Sequence, residues 1–295
     1  MSKTLVIIKL KLQSSRLLAQ IANLLIFHWP SRIFWTWEVY GLGSSLKDVQ
    51  GIAQRRKILT SSDHGLSFHV NPVSEEMDIP ANTHVTWSLW RACLKFPDGR
   101  KVIRVQHPWI AYRKKNNILL SKNASGTLVY VPHSVPGITS ELDVTSYVKV
   151  VSLLPESFHP LVFCLHMHDV KQSVIRAIQD EGFSVVTVGN SSHPRYVRRF
   201  YGLLKKFEFA TSPDIGSQLF YAHEFGVKYF LYDPENKFQI ASEYQASVQM
   251  HQDVLERVEK TFSRDNLYDN TLEKDILVSE ALGLDFGTLS LLGYL

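Results

Sequence analysis

The second half of the chain alternates short apolar segments with stretches of helical spacing, and this alternation restricts the fold more than any other feature. Helical segments of about ten to fifteen residues between buried strands are typical of a parallel sheet covered by helices. We therefore predict an α/β fold with parallel strands. The strand segments behind this prediction are Thr127–Val131, Leu161–Leu165, Phe183–Val188, Phe207–Ala210 and Val227–Tyr232.

The first half is less regular, but the chain is long enough for a second domain. Its 295 residues suffice for two domains of about 150 residues each. A polar, basic break at Arg113–Asn117 is our candidate for the linker between them. Helices are predicted near the C-terminus, at about residues 240–262 and 272–282. The predicted strands of the first half are Arg56–Ser62, Thr83–Ser88 and Lys101–Gln106.

The net charge limits the class of partner that the protein can bind, and the cysteine content indicates its compartment. The formal charge of +4 suits an anionic substrate or an anionic membrane surface, but it is too small to indicate nucleic acid. The two cysteines, Cys93 and Cys164, lack metal-ligand spacing, and so few cysteines fit a reducing compartment. We therefore expect a cytoplasmic protein, with peripheral contact at the cytoplasmic face of the membrane as an open alternative.

The N-terminal segment Leu5–Phe27 is apolar but carries three basic residues, so no window of about 20 residues is clean enough to span a bilayer. It also lacks a small-residue cleavage site, so we expect no signal peptide. We expect its apolar helical face to pack into the protein. Membrane contact, through this face or through the aromatic and basic stretch Phe27–Tyr40, is the alternative. The face comprises Leu17, Leu18, Ile21, Leu24 and Leu25.

The segment Thr211–Tyr232 predicts the end of a strand, a capped helix and a further strand. Ser212 suits the N-cap, Pro213 suits the first helical position, and Asp214 adds negative charge at the positive end of the helix dipole. Such a turn directly after a buried strand is where α/β proteins bind phosphate. We therefore predict a phosphate at the amides that follow Ser212, with an ordinary helix start as the alternative.

Histidines follow several predicted strands. His193 stands between Asn190 and a basic helical segment, and such a loop suits a phosphate or a nucleotide base. His166 and His168 share a face if the chain is extended there. Two ligands alone are weak support for a metal, so we favour a polar cleft wall over a metal site.

The loop Asp63-His64-Gly65 follows a strand of the first half. A carboxylate and an imidazole at the mouth of a cleft suit a general base that takes a proton from an acceptor hydroxyl. Gly65 would allow close approach of the backbone to a substrate. The alternative is a turn in which Asp63 serves only as a cap.

Several common enzyme classes lack their signatures here. The sequence contains no G-x-S-x-G, Walker A or G-x-G-x-x-G pattern, which argues against a serine hydrolase, a P-loop NTPase and a common dehydrogenase. It also contains no D-x-D pattern, which disfavours a metal-dependent glycosyltransferase with a single Rossmann domain.

Four segments resemble bacterial surface-polysaccharide biosynthesis proteins with a GT-B-like fold. This neighbourhood includes polysialyltransferase-like, Kdo-transferase-like and CDP-glycerol glycerophosphotransferase-like enzymes. The resemblance implies two Rossmann-like domains with parallel sheets facing a cleft. The segments are GTLVYVPHS (126–134), LVFCLHMHD (161–169), GFSVVTVGN (182–190) and SPDIGSQLFYA (212–222).

The resemblance also implies roles for the candidate residues. Asp63 or His64 would activate the acceptor, while a histidine from His133, His166 or His193 would join the Ser212 motif in holding the donor. The predicted donor-binding set is His133, Ser134, His166, His168, Gly189, Asn190, His193, Ser212, Asp214, Gly216 and Ser217.

Together these features predict a metal-independent glycosyltransferase without a cofactor. Its partners would be a nucleotide-sugar donor and a cell-surface polysaccharide or lipid-linked glycan acceptor. A nucleotide-sugar epimerase of the same fold and a non-catalytic polysaccharide-pathway or membrane-associated assembly protein are the alternatives. The predicted division is an acceptor-side domain at 1–120, a donor-binding domain at 121–239 and C-terminal helices at 240–295 that pack back toward the first domain.

Overall fold

The computed structural model describes residues 3–27, 35–132, 143–233 and 249–294. Its smaller sheet has three parallel strands in the order β1-β2-β3. The strands are β1 (Ser61–Ser62), β2 (Thr83–Thr86) and β3 (Lys101–Arg104). The first one is shorter than the predicted segment Arg56–Ser62, because only its last two residues pair with β2.

The larger sheet has five parallel strands in the order β6-β5-β4-β7-β8. This is the 3-2-1-4-5 order of a Rossmann-type sheet. The prediction of an α/β fold with parallel sheets is therefore confirmed. The strands are β4 (Thr127–Tyr130), β5 (Leu161–Cys164), β6 (Ser184–Val186), β7 (Phe209–Ser212) and β8 (Lys228–Leu231).

Helices flank both sheets and bury their apolar faces in two clusters. One cluster includes Trp87 and Trp109 from the first half together with Phe220 from the second, so it joins the two halves. The other lies on the opposite face of the larger sheet and includes Phe163 and Tyr147. The helices in the first half are α1 (Lys3–Ser14), α2 (Arg16–Phe27), α3 (Trp35–Glu38), α4 (Leu42–Gln50), α5 (Ser74–Met77) and α6 (Pro108–Lys115). Those in the second half are α7 (Val144–Ser152), α8 (Gln172–Asp180), α9 (Tyr196–Leu204), α10 (Ser217–Glu224), α11 (Gln252–Thr261) and α12 (Thr271–Leu282).

Helix α1 packs on the larger sheet although it opens the chain. Ile7 and Leu10 lie in the same apolar cluster as Phe163, and Lys3 forms an ion pair with Asp180 of α8. The predicted division at residue 120 stays a prediction, but this helix belongs spatially to the second half.

The C-terminal helices contact the first half. The guanidinium of Arg104 on β3 donates to the backbone carbonyls of Ser279 and Glu280 in α12. The backbone N–H of His107 donates to the carbonyl of Leu282 over 2.9 Å. Residues 240–248 of the predicted helix lie outside the described residues, and α11 covers Gln252–Thr261.

Helix α6 continues to Lys115, so the first three residues of the predicted linker Arg113–Asn117 are helical, and the linker itself stays a prediction. Arg113 forms a bidentate ion pair with Glu224 of α10, with N···O distances of 2.5 and 3.0 Å. Arg113 thus ties α6 to α10 of the second half.

The apolar face of α2 is exposed, which contradicts the expectation that it packs into the protein. Its five large side chains are 41–74% exposed. Trp37, from the aromatic stretch considered for membrane contact, is fully buried and donates from Nε1 to the carbonyl of Thr60. Among the helices that the structure describes, none has the length and apolarity to span a bilayer.

Candidate functional site

The crevice of the larger sheet lies where the strand order reverses, between β4 and β7. In open parallel sheets, ligands bind outside the carboxyl ends of the strands at this point. The loop that leaves β7 runs over residues 213–216 and leads into α10. The loop that leaves β4 contains His133 and Ser134, which lie outside the described residues. The predicted Ser212 motif therefore stands at the position where such sheets bind ligands.

Helix α10 begins at Ser217, not directly after Ser212 as predicted. Ser212 is the last residue of β7, because the Tyr232 N–H donates to its carbonyl over 2.9 Å and keeps it extended. Its hydroxyl accepts from Tyr229 Oη at 2.7 Å and donates to the carbonyl of Asp214. Ser212 is thus a buried strand residue that shapes the loop, and the helix amides lie five residues further on.

The N-terminus of α10 has the geometry of an anion site. Gly216 occupies the N-cap in extended conformation and makes no side-chain capping bond. A Cβ built at Gly216 would meet only the side chain of Gln218, at 2.3–2.6 Å. The first-turn N–H groups of a helix lack intrahelical partners and carry partial positive charge. The Leu219 N–H already donates to the Gly216 carbonyl over 3.0 Å, and the Gln218 side chain lies beside Gly216, so a phosphate would have to displace that side chain to reach the remaining amides.

The predicted catalytic loop meets this helix terminus. The Leu66 N–H donates to Ser217 Oγ over 2.9 Å. A Cβ built at Gly65 would lie 3.2 Å from the same hydroxyl, while the Gly65 carbonyl accepts from Trp87 Nε1 at 2.8 Å. The structure thus brings the loop after β1 and the loop before α10 together. His64 lies beside this contact and is half-buried.

Asp63 lies underneath this loop, in a polar network without solvent access. Its side chain is fully buried. One carboxylate oxygen lies 3.1 Å from His84 Nε2 and 3.0 Å from Arg91 Nε, and the other accepts from Thr86 Oγ1 at 2.6 Å. Burial by itself raises the Asp63 pKa, but Arg91 and the hydrogen bonds outweigh it and lower the pKa to about 2. A carboxylate held so firmly in its ionised form is a poor proton acceptor.

Glu76 completes the network. Its two carboxylate oxygens accept from Arg91 Nη2 at 2.7 and 2.8 Å. Ligand atoms of Asp63, Glu76 and His84 lie within 4.8 Å of one another, a spacing that a metal ion could use. The Arg91 guanidinium already bonds both carboxylates, so it supplies the positive charge that a cation would bring.

Asp214 differs from Asp63 in its position at the crevice and in the direction in which its pKa is shifted. It stands two residues past β7 at the crevice and is half-buried. Burial, with a smaller contribution from the charge of Asp233, raises the Asp214 pKa to about 6. Such a carboxyl group exchanges protons near neutral pH, which is what a general acid or base requires. The sequence marked Asp214 only for donor binding, because its pKa depends on packing.

The remaining predicted residues spread along the same edge of the sheet. His166 and His168 follow β5, with ring centroids 5.0 Å apart, and His168 is exposed. His193 follows β6 and lines a cavity of 530 Å³. β6 and β7 are three strand spacings apart, about 14 Å. The structure therefore does not bring His193 together with Ser212.

Gly189 and Asn190 hold the end of α1 rather than face the crevice. The Asn190 N–H donates to the carbonyl of Gln13 over 3.0 Å, and its Nδ2 donates to the carbonyl of Ser14 over 3.1 Å. Asn190 Oδ1 accepts from the Ser192 N–H at 3.0 Å. Both polar atoms of this side chain are thus engaged within the protein.

His107 was not among the predicted site residues, although it links the two halves next to the site. Its Nδ1 accepts from the Trp109 N–H at 3.2 Å, so Nε2 carries the proton and donates to Tyr221 Oη at 2.9 Å. Burial lowers the His107 pKa to about 3. The available signal was its place in a His-Pro pair, since Pro108 fixes the start of α6 and His107 becomes its N-cap.

Comparison with known proteins gave structural similarities alone. No protein-family model matches the chain, and no curated protein matches it by sequence. The chain is similar to Staphylococcus aureus MnaA in a co-structure with UDP, with a TM-score of 0.41, 12% identity and coverage of 84% of this chain and 74% of that one. It is also similar to UDP-GlcNAc 2-epimerase from Neisseria meningitidis bound to UDP-GlcNAc, with a TM-score of 0.36, 12% identity and coverage of 82% and 89%. Both TM-scores are below 0.5, so they identify neither a family nor an activity.

Proposed function

We propose that the chain is an enzyme that acts on a nucleotide-activated sugar. The diphosphate lies at the N-terminus of α10, and the sugar faces the loop of residues 63–66. The observation that carries this proposal is the hydrogen bond between the Leu66 N–H and Ser217 Oγ, which joins a helix N-terminus at the sheet's crevice to a loop from the other sheet.

A nucleoside diphosphate fits this site better than a neutral ligand. The amides of a helix N-terminus favour anions, and the atoms nearest to a Cβ at Gly216 belong to the flexible side chain of Gln218, which a phosphate can displace. Such donors also stabilise negative charge that develops on a departing diphosphate. A parallel sheet with this strand order binds nucleotides at its switch point in many proteins.

Epimerisation suits the proton-handling groups better than transfer does. Transfer to an acceptor hydroxyl was predicted with Asp63 or His64 as the base, but Asp63 is buried and its pKa is about 2. Epimerisation requires that a proton leave a sugar carbon and that one return to the opposite face. A group with a pKa near 6, such as Asp214, can take the proton from one face, and a second group must then supply a proton to the opposite face. Transfer to a glycan acceptor remains the second candidate, with His64 as its base.

The binding step and the reaction are tested separately. Isothermal titration with UDP, CDP, GDP and CMP examines the site, and we expect a diphosphate to bind at micromolar concentration. No heat and no thermal shift with any of the four would overturn the proposal. Incubation with the matching nucleotide sugar in D₂O then distinguishes the reactions. Deuterium in the recovered sugar indicates epimerisation, whereas release of nucleotide only when an acceptor glycan is present indicates transfer.

A further inference from the structure

Helices α1 and α2 present an apolar surface that the rest of the described chain does not cover. The exposed fraction of eight leucine and isoleucine side chains on them is 41–74%. Isolated exposed leucines are common in proteins, but eight exposed leucines and isoleucines on two consecutive helices mark an interaction surface. These side chains are Leu5, Ile8, Leu12, Leu17, Leu18, Ile21, Leu24 and Leu25.

The same two helices are basic. Residues 3–27 contain no aspartate or glutamate, and Lys9, Lys11 and Arg16 are exposed among the apolar side chains. Helices that lie in the interface of an anionic membrane combine these features. A docking surface for another protein would also use apolar side chains, but it does not require this one-sided charge.

A cavity of 530 Å³ adjoins this surface, and we call it the arginine pocket. Its walls are Ala22 and Leu25 of α2 together with His193, Arg195, Arg198 and Arg199. Among the residues that the structure describes, no carboxylate lies within 4.0 Å of any of these three guanidiniums. Three uncompensated cations beside an apolar wall favour an anionic ligand.

The hydrogen bonds inside the arginine pocket also require an acceptor. The Arg195 N–H donates to His193 Nδ1 over 3.0 Å, which leaves the proton on Nε2. Arg199 Nη2 lies 3.0 Å from this same Nε2, so two donors face each other. Arg199 Nη1 is buried and has no hydrogen-bond partner among the described residues. An anionic oxygen that lies beside both groups would accept from both.

The pocket and the helices are fixed to each other. Asn190 binds the last carbonyls of α1, and Asn23 Nδ2 of α2 donates to the Ser192 carbonyl over 2.9 Å. Gly189 has a φ of +97°, and a Cβ there would lie 2.7 Å from the Gln13 carbonyl and 2.9 Å from Arg199 Nη1. The loop of residues 189–193 therefore holds the apolar surface and the arginine pocket side by side.

We propose that α1, α2 and the arginine pocket together dock onto an anionic phospholipid bilayer. The exposed leucines and isoleucines enter the interfacial region, and a lipid phosphate occupies the pocket between His193 and the arginines. The site lies about three strand spacings, or ~14 Å, from the crevice at β7. The inference is therefore independent of the proposed function.

The test is flotation of the full chain with vesicles of phosphatidylcholine alone or mixed with an equal part of phosphatidylglycerol. We expect flotation only with the mixed vesicles and a loss of it at high salt. Leu17→Ser/Leu25→Ser and Arg195→Gln/Arg198→Gln should each reduce binding by about tenfold or more. All four positions are exposed, so we expect unchanged melting temperatures.

Matched controls change the same residue types elsewhere. Leu153→Ser/Leu272→Ser replaces leucines that are 77% and 75% exposed, and Lys205→Gln/Lys206→Gln removes two exposed charges just after α9. Both controls should float like the wild type. Equal loss in the controls, unchanged flotation of either test variant, or no flotation with mixed vesicles would overturn the proposal. Dimerisation in sedimentation velocity that Leu17→Ser/Leu25→Ser abolishes, without vesicle binding, would instead assign the surface to a second copy of the chain.

Discussion

The backbone N–H of Leu66 donates a 2.9 Å hydrogen bond to the hydroxyl of Ser217. Leu66 follows the first strand of the smaller sheet, and Ser217 opens the helix after β7 of the larger one. This bond connects two loops that are 151 residues apart in sequence. The predicted acceptor-side loop and the predicted donor-side loop are therefore in direct contact.

Covering the helix amides should abolish nucleotide binding. Gly216→Val keeps the extended conformation, which valine favours, but its side chain displaces Gln218 and covers the N-terminus of α10. We expect at least a tenfold rise in the Kd for the nucleoside diphosphate, measured by titration calorimetry, because the phosphate can no longer reach the amides. Gly202→Val is the control, since a Cβ there meets nothing within 4 Å. Equal affinities of the two variants would exclude α10 as the phosphate site.

Asp63→Asn should lower the free energy of unfolding and not only alter the reaction. The change leaves Arg91 and His84 with a neutral partner in a fully buried network. Breaking a buried pair costs about 3–5 kcal/mol in the free energy of unfolding. Denaturant titration measures this difference. A stable variant that has lost activity would restore Asp63 as the catalytic base.

The control for Asp63→Asn is Asp98→Asn, which removes a carboxylate from a more exposed ion pair with Arg100. Exposed pairs of this kind contribute little to the free energy of unfolding. Comparison of the two variants therefore separates the effect of burial from the effect of replacing aspartate with asparagine. The contribution of the Asp63 network should also be present above pH 4 and be lost as the pH falls toward 2, because its folded-state pKa is depressed to about 2.

Asp214→Asn should abolish activity. It should also change the pH dependence of stability, because the effect of the Asp214 carboxyl on stability is opposite to that of the Asp63 network. The Asp214 pKa is raised from 3.8 to about 6, so the folded state binds this proton more tightly than the unfolded chain does. Stability attributable to this carboxyl is present below pH 4 and is lost between pH 4 and 6. The asparagine variant should therefore be more stable than the wild type at pH 7, by about 1–2 kcal/mol, and equal to it at pH 4.

Thermal unfolding at both pH values measures the Asp214 effect, and the rate profile provides a second measurement. With wild-type enzyme we expect an ionisation near pH 6 in kcat/KM that the variant lacks. Glu156→Gln, at an exposed position far from β7 in sequence, serves as the control for removal of a carboxylate. A fully active Asp214→Asn would remove this residue from the proposed reaction.

His107→Asn should reduce the sensitivity of the fold to acid. Burial depresses the His107 pKa from 6.5 to about 3, so the unfolded chain takes up this proton first and stability falls as the pH drops below 6.5. The loss should reach roughly 3 kcal/mol at pH 4. Asparagine can still accept from the Trp109 N–H at the start of α6 but does not titrate. Unfolding curves at pH 7 and pH 4 measure the stability that each protein loses on acidification. An equal loss in the wild type and in His107→Asn would contradict the assignment of this effect to His107.

The sequence was sufficient for the α/β class because the alternation of buried strands and helices is a local signal. Each of the five strands of the larger sheet falls within or overlaps its predicted segment, and their parallel pairing follows from the intervening helices. The strand-end loops were predicted for the same reason. Parallel strands place their carboxyl ends at one edge, so residues such as Asp214 and Ser217 could be marked without coordinates.

The tertiary structure decided everything that depends on contacts between distant segments. Ser212 has the local pattern of an N-cap, but pairing with β8 keeps it in the strand. Asp63 looks like a base at a cleft, but Arg91 and Glu76 enclose it from 28 and 13 residues further along the chain. The face of α2 has the pattern of a buried helix, yet α2 contacts the loop after β6 through Asn23 and leaves that face exposed. Composition and spacing fix which segments can be buried, whereas only the folded chain determines which of them find a partner.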